Sequence, residues 1–500
     1  MKKHTISLQP LGRTITVNDN TPLMDVLHEF GIEFPCGGRG TCGKCKVRLL
    51  QGDIQVTEEQ RWKLERLKLP EDWRLACLSR CTENITLEIG QLDHLILADE
   101  SDFQFTPAPG FGIAIDLGTT TLVAQMVSLK DGRVMAAETM MNPQGRFGSD
   151  LISRIEAALA GNQPEMCKLI RSATGNMVGK MLADQPTGSV DITIVGNTVM
   201  HHLFSNIDVA PLSVYPFHSP DLGMKEFTPE EVGWHHKQIG RIRFVPSIGS
   251  FVGSDILAGI AATGMHLKEE YTALVDLGTN GEIAVGNKNG IVCASTAAGP
   301  AFEGANISMG MRAVTGAISS FSLENNRLKA VVIGNTRPAG ICGSALIDAV
   351  ALLHSTGQIG MFGEIMSGED NIRLTGHIRL TQKDIHEFLL AKAAVAAGLE
   401  ILTKRLSLKM DDLQAIYIAG GFGNYINLEH VNATGMITLP PERIHKMGNT
   451  ALIGAKMFLF PGAQDMVHEI LHKTTHVHLE SDPGFQDIYV GNMMLEQSTP

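Results

Sequence analysis

Two segments of this chain, Ile113-Ala114-Ile115-Asp116-Leu117-Gly118-Thr119-Thr120-Thr121 and Leu274-Val275-Asp276-Leu277-Gly278-Thr279-Asn280-Gly281-Glu282, carry the same Asp-Leu-Gly-Thr step 160 residues apart. Each is an apolar run entering a turn of small polar residues and leaving in a second strand, Thr121 to Val127 and Glu282 to Val285. One such step is an ordinary turn; its repetition says that the chain repeats a module. A hairpin turn of Gly, Thr and Asn points backbone N–H groups and hydroxyls at phosphate oxygens, and an aspartate at the strand end can hold Mg²⁺ through water. Two such grips facing each other would clamp a nucleotide. The pattern assigns Asp116 and Asp276 to Mg²⁺, with Gly118, Thr119, Thr120, Gly278, Thr279 and Asn280 on the phosphates.

A third element joins them. Ala415-Ile416-Tyr417-Ile418-Ala419-Gly420-Gly421-Phe422-Gly423-Asn424 is an apolar strand entering a glycine-rich turn, flat enough at Gly420, Gly421 and Gly423 to border an adenosine ring. Taken together these segments resemble the phosphate 1, phosphate 2 and adenosine motifs of the actin, sugar kinase and Hsp70 ATPase superfamily. The resemblance implies a duplicated actin-like (ribonuclease H-like) fold closing over ATP, with Gly448 to Ala455 as its late connecting helix. After the second grip comes Ala297-Ala298-Gly299-Pro300-Ala301-Phe302-Glu303-Gly304, where Glu303 is a candidate to activate water and equally a helix cap. Asp255, before an apolar helix, reads as an N-cap.

Upstream lies a different chemistry. Cys36, Cys42, Cys45 and Cys77 stand as C-x5-C-x2-C-x31-C, the ligand pattern of a [2Fe–2S] cluster. Gly37, Gly38, Gly40 and Gly43 give the loop freedom to wrap the cluster, and Cys77 must arrive through the fold. Zinc is the alternative for four thiolates, but a zinc ribbon pairs two CxxC knuckles and only Cys42 and Cys45 form one. Alternation through Thr5 to Leu8 and Thr14 to Val17 predicts a hairpin. A helix is expected from about Thr21 to Phe30, a strand over Lys46 to Leu50, a charged helix over Glu58 to Lys68 and a closing strand over Ile85 to Ile89. This α+β pattern resembles the β-grasp of plant-type and adrenodoxin-like ferredoxins over residues 1 to about 92. Cys81 reads as a non-ligand, and Arg39, Lys44, Lys46 and Arg48 as surface charge or a docking patch for an acidic partner.

At 500 residues and 44% apolar content the chain exceeds what one core holds. The expected division is residues 1–92, a linker at 93–110 rich in charge and proline, and two α/β halves at 111–268 and 269–500. A net charge of −12 argues against nucleic acid or an anionic membrane as partner. No stretch of about 18 uncharged apolar residues occurs. The opening Met1-Lys2-Lys3-His4 lacks a signal-peptide pattern, so a reducing cytoplasm is the expected compartment. Cys293 and Cys342 read as core residues, and the pair His201-His202 as surface or core rather than a corrinoid contact.

The order of modules narrows the family. An N-terminal [2Fe–2S] domain followed by this ATPase core, with Asn142-Pro143-Gln144, Asp150 and Arg154, resembles the reductive activators of corrinoid proteins. A related branch for methylamine methyltransferases carries C-terminal cysteine-rich clusters, which are missing beyond about residue 456 here. The resemblance implies ATP-dependent return of a Co(II) corrinoid to Co(I), with a [2Fe–2S] cluster, ATP and Mg²⁺ as cofactors. Its implied partners are a low-potential electron donor and either a corrinoid iron–sulfur protein or a methyltransferase corrinoid subunit; a homodimer is left open. A small-molecule kinase, or a chaperone-like ATPase, with a fused redox-sensing ferredoxin domain is the alternative.

Overall fold

The computed structural model describes the chain outside residues 1, 10–12, 28–29, 31, 33, 35–39, 41–44, 68, 90–102, 184–187, 279, 305, 421–425 and 496–500. The N-terminal portion is a mixed five-stranded sheet. Lys3–Gln9 pairs antiparallel with Arg13–Asn18 and parallel with Ile85–Glu88, and Lys46–Gln51 lies between Ile85–Glu88 and Trp73–Leu75. Alternation along Lys3–Gln9 buries His4, Ile6 and Leu8 on one face, as period-two patterning requires. The helix Glu58–Arg66 starts where the Thr57 hydroxyl accepts from the Gln60 amide.

Of the helix expected from Thr21 to Phe30, the described residues show Met24–Leu27, and residues 28–29 lie outside them. Its N-terminal part is strand instead, because Thr21–Pro22 pairs with Arg80–Cys81. The flanking amides of Asn20 and Leu23 donate to the carbonyls of Cys81 and Ser79 at 2.8 and 2.9 Å. Backbone partners from a distant segment outweigh local helix preference.

The rest is built on two six-stranded sheets with one shared pattern. In the first, a meander of Phe111–Leu117, Thr121–Ser128 and Val134–Met141 is followed by Val190–Val195 and Ile239–Phe244, both parallel to the opening strand. In the second, Thr272–Leu277, Gly281–Asn287 and Gly290–Thr296 make the meander, and Ala415–Ala419 and Ile444–Gly448 add in parallel. Only the extra edge strands differ, Lys225–Phe227 in one sheet and Thr474–His476 in the other. The opening strands are apolar on both faces because helices cover both sides.

Two helices cross between the sheets, Ser254–Thr263 and Thr450–Met457. Their backbones touch: a Cβ at Gly454 would lie 2.1 Å from the Ala258 carbonyl oxygen. At that crossing no side chain separates them.

Half of the expected linker is not a spacer. Residues 93–102 lie outside the described residues, but Phe103 and Phe105 pack on Phe460 with ring centroids 5.6 and 4.5 Å away, and the Lys456 ammonium sits over Phe103. The Ala108 amide donates to the Leu129 carbonyl, and the Leu129 amide to that of Gly110. The prolines of this stretch masked an aromatic strap.

Gly454→Val should therefore force the crossing helices apart and cost about 1–3 kcal/mol. Urea denaturation should report that loss, with the far-UV circular dichroism spectrum unchanged.

Candidate functional site

The two Asp-Leu-Gly-Thr hairpins turn out at the same end of their sheets. In the first, Asp116 pairs with Val123 and Leu117 with Leu122, leaving Gly118, Thr119 and Thr120 at the turn. Three consecutive carbonyls of that turn are drawn into the protein. The Asn142 side-chain amide donates to Gly118 O at 2.9 Å, the Arg154 guanidinium to Thr119 O, and the Asn142 backbone amide to Thr120 O at 2.9 Å. With the carbonyls held inward, the N–H ends of the peptide dipoles are left to face the cleft, the polarity an anion needs.

Side chains divide differently from the sequence expectation. The Thr119 hydroxyl is buried and accepts from Asn197 at 2.9 Å, so it faces the interior rather than the cleft. Thr120 keeps its hydroxyl at the opening and donates to Glu303 Oε2 at 3.3 Å, a contact between the two halves. Glu303 lies on the short turn Pro300–Glu303 and thus reaches the first phosphate loop from the second half.

In the second hairpin Asp276 pairs with Glu282, and the Gly278 amide donates to Asn280 O at 3.0 Å. Thr279 lies outside the described residues, as do Gly421 and Gly423. Gly420 is described: its φ is +104°, and a Cβ there would meet Leu277 O at 2.3 Å and Asp276 Oδ1 at 3.1 Å. Only glycine lets the third turn come so near the second hairpin.

The cleft floor is a crowd of carboxylates. Burial pushes Asp116 up to about 6, although a hydrogen bond from Asn449 partly offsets it. Asp255 rises to about 7, from burial and then the Asp116 charge. Burial, Asp255 and Asp116 together push Asp276 to about 8, and Glu282 lies well above its ordinary value from burial and from Asp255 and Asp276. Each charge makes the next more costly. Asp255 is not the N-cap: Gly253 holds that position, and Asp255 stands in the first turn of Ser254–Thr263 facing the other carboxylates. Carboxylates crowded in this way are donor chemistry of the kind a divalent cation takes. Among the described residues no three His, Cys, Asp or Glu side chains group closely enough to hold a metal ion by themselves.

At the cluster site, Cys45 Sγ and Cys77 Sγ are 3.2 Å apart, joined from segments 32 residues distant. Their thiols approach one another in one place, the donor chemistry a [2Fe–2S] cluster takes. Cys36 and Cys42 lie outside the described residues. Cys81 is buried, pairs as strand with Thr21, and donates to Glu83 O. Ile32 and Phe34, just before Cys36, share a cavity of about 30 Å³ with Thr120, Asn142, Arg154 and Arg312, and Asp25 sits 3.7 Å from Arg146. The cluster-bearing portion thus rests against the first phosphate loop.

Comparison with known proteins agrees with this arrangement of modules. Residues 270–500 match the C-terminal ASKHA domain of RACo, residues 111–268 the RACo middle region, and residues 6–82 a 2Fe-2S iron–sulfur cluster binding domain. The corrinoid activation enzyme RamQ of Eubacterium limosum is 34% identical over 445 residues, covering 80% of this chain and 74% of its own. The chain belongs to the RACo family. A second relative, the [Co(II) methylated amine-specific corrinoid protein] reductase of Methanosarcina barkeri, is 26% identical over 417 residues, 76% of each chain. The solved structure of a reductive activator for corrinoid, iron–sulfur protein superposes with a TM-score of 0.69 at 27% identity, over 98% of both chains.

Several residues of this RACo-family site were not singled out for the cleft by sequence reasoning: Asp255, Glu282, Asn197 and Asn449. One signal was available. Gly-Asn-Thr occurs at 196–198 and again at 448–450, each time where a strand gives way to a helix. His201 and His202 are fully buried, bonded to Gly223 O and to Ser219, and burial holds them neutral. Cys293 and Cys342 are core residues.

The raised carboxylates fix a pH dependence. They bind protons in the folded chain that the unfolded chain has already lost, so this contribution to stability is present at low pH and fades as pH rises from about 4 to about 8. Asp255→Asn should raise the stability of the nucleotide-free protein at pH 8 by on the order of 4 kcal/mol and by little at pH 4. Differential scanning calorimetry at the two pH values measures the difference.

Proposed function

We infer that this chain is an ATP-dependent reductive activator, passing a low-potential electron from its [2Fe–2S] site to an inactive Co(II) corrinoid protein and restoring Co(I). The observation that carries the reading is the pairing, in one RACo-family chain, of converging cluster thiols with a carboxylate-floored cleft between two matching sheets. A bound [2Fe–2S] cluster would supply one-electron transfer, held by Cys36, Cys42, Cys45 and Cys77.

Each residue has a place in this reading. Asp116 and Asp276 hold Mg²⁺ through water, with Asp255 and Glu282 adding to the field that draws it in. Gly118, Thr119, Gly278, Thr279 and Asn280 present backbone groups, and Thr120 its hydroxyl, to the phosphates, while Gly420, Gly421 and Gly423 border the adenosine. Glu303, which accepts from the Thr120 hydroxyl, is in this reading the group that orients or deprotonates water. Residues 1–92, 111–268 and 269–500 act as the three working parts.

The energetics favour a conformational role for ATP. A ferredoxin-type cluster works near about −400 mV, and a one-electron shortfall of about 0.1 V is about 2.3 kcal/mol. Nucleotide can offset that only by favouring one state of the complex with the corrinoid protein over another. Whether the partner is a corrinoid iron–sulfur protein or a methyltransferase subunit, which donor reduces the cluster, and whether two copies associate are finer points of the same reading. Among the described residues no helix is long and apolar enough to cross a membrane.

The deciding experiment mixes reduced protein with Co(II) corrinoid proteins, with and without Mg²⁺ and ATP, and follows the Co(I) absorption band. ATP-dependent Co(I) is expected with at least one partner, and its absence with all of them overturns the proposal. Cys77→Ser should abolish both the cluster's visible absorption and Co(I) formation while leaving ATP hydrolysis in place. Asp276→Asn should keep the cluster and slow hydrolysis by about 10²-fold.

A further inference from the structure

Where the two halves meet, one side chain serves both. Asn449 ends the strand Ile444–Gly448 and opens the crossing helix Thr450–Met457. Its Oδ1 accepts from the Leu452 amide at 2.9 Å and caps the helix; its Nδ2 donates to Asp116 Oδ2 at 2.8 Å, from the opposite half. The residue before it, Gly448, accepts from the Gly420 amide at 3.1 Å, so the adenosine turn starts from the same point.

The choice of side chain matters. Capping alone is done equally well by Ser or Asp. Only an amide offers an acceptor to the helix and a donor to a carboxylate from two separate atoms. Asn197 shows the same division inside the first half: it caps Thr198–Ser205 through the Met200 amide and donates to Thr119. The first phosphate hairpin is therefore held by three capping asparagines, Asn142 and Asn197 from its own half and Asn449 from the other. Gly454 presses the helix of Asn449 onto Ala258, so a displacement of the cap is passed on to the whole helix pair rather than absorbed by side chains.

We propose that Asn449 is a positioning residue that latches the metal-holding carboxylate of Asp116 to the crossing helix of the opposite half, so that engagement of Mg²⁺–nucleotide and the angle between the halves change together. The inference rests on the Mg²⁺–ATP reading of the cleft. A ligand shifts a two-state equilibrium only through contacts that differ between the states, and a bond from one half to the metal carboxylate of the other is such a contact.

Asn449→Ser keeps the cap and removes the donor; Asn449→Asp keeps the cap and sets a carboxylate against Asp116. Affinity for a fluorescent ADP analogue should be measured on the full chain with Mg²⁺ and with EDTA, alongside steady-state hydrolysis and thermal melting. Both variants should bind the analogue in EDTA within about twofold of wild type, lose about tenfold of the enhancement that Mg²⁺ confers, and lose kcat more than KM. Unchanged Mg²⁺ dependence, or affinity lost equally with and without Mg²⁺, overturns the latch and leaves a merely structural cap. Should Asn449→Ser not fold, Asn449→Asp carries the same comparison. Failure of wild type to bind the analogue more tightly with Mg²⁺ would sink the underlying reading instead, so the two failures are told apart by the wild-type arm.

Discussion

Four carboxylates crowded on the floor of one cleft are a standing electrostatic debt, because each is desolvated and each raises the cost of ionising its neighbours. The rest of the architecture is arranged around keeping them there. Asp116 and Asp276 come from the opening strands of two matching sheets, Glu282 from the strand paired to Asp276, and Asp255 from a helix that crosses between the sheets. Strands and a backbone-to-backbone helix contact are stiff supports, and stiffness is what like charges demand. In the proposed reading, a cation bound there would relieve the repulsion.

The same logic explains why the first phosphate loop is so heavily braced. Turning three carbonyls inward takes three donors, and Asn142 and Arg154 provide them. Burial lowers Arg154 to about 9 while Asp150 and Glu303 pull the other way, so its charge is shared between the loop and the acids at the cleft mouth. Because Phe34 and Ile32 line a cavity with these same residues, the cluster-bearing portion abuts the very loop that nucleotide would grip.

What could be read from the sequence was whatever is local. The Asp-Leu-Gly-Thr hairpins, the hairpin at residues 3–18 and the helix at 58–66 follow from patterns a few residues long, and the structure has them. Asp255 was mistaken for a cap because a lone acid before an apolar helix usually is one; only the crossing of that helix over the second sheet brings it to Asp276. The Thr119 hydroxyl is taken by Asn197, a partner that sequence distance concealed. The segment Thr21–Pro22 and the strap at Phe103–Phe105 were both decided by partners far along the chain, Arg80–Cys81 in one case and Phe460 in the other. Local rules reach as far as the turn, and long-range pairing sets the rest.

The strap has one more consequence, and it is a matter of geometry. By pinning Phe103 and Phe105 to Phe460, it leaves only residues 90–102 to join the cluster-bearing portion to its anchor. However those residues are arranged, covalent bond lengths limit their span to about 50 Å. In the proposed reading, the distance the cluster could travel from that anchor is therefore bounded by two phenylalanines and the bonds between. Loosening the knot at Phe460 would enlarge the territory without touching either the thiols or the cleft.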